Sequence, residues 1–90
     1  MRSKVASIFA NPARLKLIIC LGNGDKNVTE LIKNCGLSQS AVSQHLEKLR
    51  DSEFVSTRRV GKEIFYKLRF KRSIQIAKSL MALSKEVGSK

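Results

Sequence analysis

Acidic side chains are scarce in this sequence. Seven Asp and Glu stand against eighteen Lys and Arg among ninety residues, a formal net charge of +11. Such a surface repels cationic partners and favours polyanions, either nucleic acid or an anionic membrane; solubility alone is the plainer reading. Histidine occurs once and cysteine twice. Zinc-type sites need about four such ligands, so no metal site is expected. Nor is there a His-carboxylate-nucleophile set or a phosphate-binding glycine loop, so an enzyme is not expected and no cofactor is implied. Two cysteines are too few for a disulfide scaffold, and cytosolic thiols are normally reduced. One proline and five glycines leave no linker or low-complexity segment. No apolar run approaches the roughly 20 residues that span a bilayer; the longest, LIICL at 17–21, reads as core. The opening MRSKVASIFANPAR lacks the apolar stretch and cleavage site of a signal peptide, which places the expected protein in the cytoplasm.

What remains is a chain long enough for one small domain, residues 1–90, marginally stable as a lone monomer. Val5, Ile8 and Phe9 follow helical spacing, predicting a short helix over 3–10. Asn11-Pro12 is a cap followed by a proline suited to the first helical position, so a second helix runs over 12–22 through Leu15, Ile18, Ile19 and Leu21. A third starts at Val28, capped by Asn27 or Thr29, and ends at Cys35-Gly36. Ser38 caps a fourth at 39–52, so a tight glycine turn joins helices three and four as in a helix-turn-helix. The segments 54–60 and 63–70 are rich in β-branched and aromatic residues and flank Gly61-Lys62, which reads as a β-hairpin. From Arg72 to about Val87 helical spacing returns. Ile76, Leu80, Leu83 and Val87 form a stripe widened by Ile74, Ala77 and Met81. That stripe is broad for a terminal helix, so segments 1–10 and 72–88 are expected to bury each other across a dimer. The fold class expected is mainly α with a small β-hairpin.

The fourth helix, LSQSAVSQHLEKLR with its leading Leu37, divides on a helical wheel. Val42, Leu46 and Leu49 share one side; Ser40, Gln44, Glu47 and Asp51 point away from it, with Gln39 and Ser43 on the flank. No charge occurs between Ser38 and Leu46 apart from what His45 can carry, whereas a solvated face is usually laced with Lys and Glu. Short polar side chains allow close approach, Gln pairs with adenine, and Ser reaches base edges or phosphate. Gln39, Ser40, Ser43 and Gln44 are therefore expected to contact DNA. His45 lies beside the apolar stripe and divides evenly between contact and half-buried structural histidine. Residues 58–72 hold seven Lys and Arg against Glu63 alone, a net +6. Arg58, Arg59 and Lys62 at the hairpin tip are expected on the phosphate backbone, while Lys67 and Arg69 cover the outer sheet face.

These stretches resemble a known family. NPARLKLIICL, then VTELIKNCGLSQSAVSQHLEKLRDSEFVSTRRVGKEIFYKL with its R-x-G-K-x-x-x-Y-x-L wing, resemble the ArsR-type winged helix-turn-helix repressors over residues 12–70. The resemblance implies a homodimer formed by the first and last helices, a palindromic DNA operator, and repression relieved by an inducer whose identity the residues do not give. It puts base contacts on Gln39, Ser40, Ser43, Gln44 and His45, and wing contacts around Arg58–Lys62. The family's metal-binding positions are occupied here by Asn27-Val28-Thr29 and by a last helix without Asp or His. Some similar members sense oxidants or sulfur species through a cysteine near the place of Cys20 and a second in the last helix, where this chain has none. Cys20 and Cys35 are thus expected chiefly as small buried hydrophobes, with a redox pair as the alternative. A winged-helix module that binds protein or RNA is the other alternative.

Overall fold

A computed structural model describes residues 3–88. Its elements are α1 (Ser3–Phe9), α2 (Pro12–Leu21), β1 (Lys26–Asn27), α3 (Val28–Cys35), α4 (Gln39–Asp51), β2 (Val55–Val60), β3 (Glu63–Leu68) and α5 (Arg72–Gly88). Residues 1 and 2 of the expected dimerisation segment lie outside the described residues. The helix starts follow their caps. The Asn11 side chain accepts from the Ala13 amide at 2.8 Å, with Pro12 opening α2. Asn27, rather than Thr29, caps α3. Its side chain accepts from Glu30 N at 2.8 Å, and its own amide donates to the Glu30 carboxylate at 3.0 Å, a reciprocal capping box. Ser38 Oγ accepts from Ala41 N at 3.2 Å to start α4. Between α3 and α4 the chain turns at Gly36, whose φ of 67° is one a side chain would resist.

The expected hairpin is part of a three-stranded antiparallel sheet of order β1-β3-β2. Lys26 pairs with Tyr66 and Asn27 with Phe65. A two-residue strand has no alternation to betray it, which is why the pattern showed only two strands. Its effect is to tie the start of α3 to the wing. Within the hairpin, Val60 faces Glu63 across the Gly61-Lys62 loop, and Gly61 takes a φ of 61° at the first loop position. The second strand ends at Leu68, not at Phe70.

The core gathers Ile8, Leu17, Ile18, Leu31, Val42, Leu46 and Leu49 with Phe54, Val55, Leu68 and Ala77. α2 packs against α1, α3, α4, α5 and β3. A helix enclosed on so many sides has no single apolar face, so Leu17 is fully buried although it lies off the expected stripe, and Ile19 is only partly covered. On α5 the wide stripe splits. Ala77 is buried and Ile74, Leu80 and Met81 pack against the core, while Ile76, Leu83 and Val87 stay exposed.

The chain leaves α4 through a Schellman turn: Phe54 N donates to Leu49 O at 2.9 Å and Glu53 N to Arg50 O at 3.0 Å. Glu53 holds the left-handed position, φ 62°, where glycine is usual. Glu53→Gly should raise stability by about 1 kcal/mol in urea melts. The exposed Arg69–Glu53 pair it removes, 3.0 Å, contributes little. An unchanged or lower midpoint would mean that glycine's unfolded-state entropy offsets the relief.

Candidate nucleic-acid interface

Caps and core together orient α4. Val42, Leu46 and Leu49 are fully buried against α2, α3 and the sheet, which turns Gln39, Ser40, Ser43 and Gln44 to solvent. All four are exposed, as the wheel predicts. The side chains at the open end of the helix are short and uncharged, and unpaired amides of the first turn add positive potential there. Ser38 Oγ and Ser40 Oγ lie 3.5 Å apart.

The wing presents its cations differently from one another. Arg58 pairs with Asp25 at 3.4 Å and lies over the Phe65 ring at 5.6 Å. This is an internal partner that the sequence did not announce. Arg59 Nε donates to Gly61 O at 3.2 Å, bracing the tip, and Lys62 is exposed in the loop itself. Arg69 lies past the end of β3, paired with Glu53 and over Phe70 at 5.4 Å. It covers the α4–β2 corner rather than the outer sheet face.

His45 is half-buried, on the border where the wheel puts it. Its Nδ1 lies 3.3 Å from Nη1 of Arg14. Sequence reasoning passed over Arg14, which is only 8% exposed. A signal was present: Arg14, Ile18 and Leu21 share the i, i+4, i+7 row of α2. Burial, then the Arg14 and Lys48 charges, hold the His45 pKa below the ordinary 6.5. The unfolded chain therefore binds a proton at His45 before the folded chain does. Stability should fall as pH drops through about 6.5 towards the lower folded value, then level off. His45→Ala should flatten that part of the profile in melts from pH 7 to 5, and an identical profile in the variant would assign the dependence elsewhere.

The cysteines depart from expectation. Cys20 at the end of α2 and Cys35 at the end of α3 are joined as a disulfide, Cα–Cα 6.7 Å, and both are only partly buried. They are not two separate buried thiols. The packing of α3 beside α2 brings their Cα atoms within bridging distance, and fifteen residues of intervening chain disguise it.

No helix among the described residues is long and apolar enough to cross a membrane. A family model described as "Bacterial regulatory protein, arsR family" matches residues 11–57. Nodulation protein NolR of Rhizobium meliloti is 48% identical over 60 residues, 67% of this chain and 49% of that protein. The biofilm growth-associated repressor of Xylella fastidiosa (strain Temecula1) is 38% identical over 75 residues, 83% of this chain and 66% of the relative. The chain thus spans between about half and two thirds of these curated relatives. The crystal structure of the transcriptional repressor BigR from Xylella fastidiosa superposes with a TM-score of 0.78 at 34% identity, covering 90% of this chain and 83% of that one. With a buried-backed polar helix, a three-stranded wing and these likenesses, the chain belongs to the arsR family of winged helix-turn-helix, DNA-binding transcriptional regulators, which are not enzymes.

Proposed function

We propose that the protein is a cytoplasmic homodimeric repressor that reads a palindromic operator. α4 enters the major groove, and each wing grips the flanking backbone through Arg58, Arg59 and Lys62. The observation that carries this reading is the exposed, uncharged Gln39-Ser40-Ser43-Gln44 face on a helix whose other side is fully buried. Two copies place two such helices about one or two DNA turns apart. The dimer face is α1 with α5. Exposed Phe70 (49%), Ile76 (40%), Leu83 (54%) and Val87 (68%) line or extend from it. A mainly apolar hollow of about 550 Å³ there is walled by Val5, Phe9, Phe54, Phe70 and Ile76, together with Glu53, Arg69, Arg72 and two serines. Isolated apolar side chains on a surface need no account, but an apolar hollow bordered by exposed Phe70 and Ile76 suits an interface.

The test is selection of genomic fragments by the purified protein at several salt concentrations. A palindromic consensus is expected. Its absence sinks the repressor reading and favours a protein- or RNA-binding module. On the selected site, Gln44→Ala should cost about 1–3 kcal/mol of specific binding and much less on random DNA. Arg59→Ala should flatten the log-affinity against log-salt slope by about one unit. Equal loss of Gln44→Ala on random DNA removes it from base reading, and an unchanged slope removes Arg59 from the backbone.

The Cys20–Cys35 bond supports a second reading, a thiol-responsive repressor. Reduction by a dithiol adds two electrons and two protons and unties α3 from α2, just ahead of α4. Operator affinity should then differ between reduced and oxidised protein and cease to differ in Cys20→Ser. Equal affinity in both redox states would leave the bond a structural tie.

A further inference from the structure

Arg14 is a charged side chain set into the core, and the fold uses all three of its nitrogens. Nε donates to Ile8 O at 3.2 Å and Nη2 to Ser7 O at 2.7 Å, closing the carboxyl end of α1. Nη1 is the atom 3.3 Å from His45 Nδ1. A guanidinium has donors only, so in this pair Nδ1 must accept. A neutral imidazole that accepts at Nδ1 carries its proton on Nε2.

We propose that Arg14 is a positioning residue for DNA reading: it holds His45 as the neutral Nε2–H tautomer, so that α4 offers DNA one uncharged hydrogen-bond donor beside Gln44. The inference rests on the DNA-reading role given above to α4. A base-edge acceptor such as guanine N7 or O6, or thymine O4, suits a donor of this kind. Being neutral, it releases no counterion, so His45→Ala should lower affinity with an unchanged salt slope, unlike Arg59→Ala. The surroundings favour the same state, since burial and the cations Arg14 on α2 and Lys48 on α4 all disfavour an imidazolium. The anchoring of Arg14 on two α1 carbonyls fixes the guanidinium, and through it the ring, to the body of the domain rather than to α4 alone.

Two measurements decide it. Ring nitrogen–proton correlation spectra of the free wild-type protein at neutral pH are simple, because His45 is the sole histidine. Protonated Nε2 with bare Nδ1 is expected; the opposite tautomer, or rapid exchange between the two, overturns the proposal. The second is a double-mutant cycle on the selected operator, using variants whose melting shows them folded. Arg14→Met should weaken binding about tenfold when His45 is present and less than about twofold in the His45→Ala background. Equal losses in both backgrounds would make Arg14 a packing residue only, while leaving the role of α4 intact. Should Arg14→Met not fold, the spectrum of the wild type decides alone. Absence of any sequence-specific binding by the wild type would overturn the role of α4, and this inference with it.

Discussion

Leu46→Ala should lower the stability of the folded chain by about 3 kcal/mol, within the range for deleting a buried leucine side chain. Leu46 is 1% exposed and packs with Leu17, Ile18, Leu31, Val42 and Leu49 in the same cluster. Each of these neighbours sits on a helix held at both ends, α2 by Asn11 and Gly22, α3 by its capping box and Gly36, α4 by Ser38 and the Schellman turn. The surroundings therefore have little freedom to collapse into the space left. A ninety-residue domain has roughly 5–13 kcal/mol in total, so this one truncation removes a large share of it. The midpoint of thermal unfolding should drop by about 15 °C. DNA binding is lost with it, because the same side chain fixes the rotation of α4 that turns Gln39, Ser40, Ser43 and Gln44 outward. A loss below about 1 kcal/mol would show that α4 is held by its ends rather than by its buried face.

In the proposed dimer, Leu83→Glu should act on assembly and leave the protomer alone. Leu83 is 54% exposed, so its replacement costs the isolated fold little. Across a two-fold interface the same substitution appears twice and places two carboxylates in an apolar contact, where unpaired charges are costly. The variant should sediment as a monomer at concentrations where the wild type is dimeric. Without the second α4 linked to the first, affinity for the full palindrome should fall about a hundredfold or more. Affinity for an isolated half-site should change little. A variant that remains dimeric would move the interface off this part of α5, and a monomeric wild type would remove the dimer from the proposal.

Much of the architecture can be read from short-range chemistry. Asn11-Pro12, Ser38 and Gly36 mark helix ends because caps and left-handed turns are properties of one or two residues and their own backbone. The β-branched and aromatic runs around Gly61-Lys62 mark the wing for the same reason. Val42, Leu46 and Leu49 sort from Gln39, Ser40, Ser43 and Gln44 by helical geometry alone, and His45 falls on the border in the sequence and in the fold. What escaped was set by neighbours far along the chain. β1 exists because Tyr66 and Phe65 offer it a partner, not because Lys26-Asn27 has strand character. Leu17 is buried because α2 is surrounded, which a one-faced wheel cannot express.

The sequence by itself determined the order of the five helices and the hairpin, the basic wing and the polar face of α4, since all three depend on local spacing and on charge. Only the tertiary structure decided which charges are spoken for. Arg58 meets Asp25 across 33 residues, Arg14 meets His45 across 31, and Cys20 meets Cys35 across 15. Those pairings arise where α2 lies against α4 and α3 and where the wing folds back over the loop before β1. An ion pair, a tautomer or a disulfide depends on distances of a few ångströms, and only packing brings such distant residues that close.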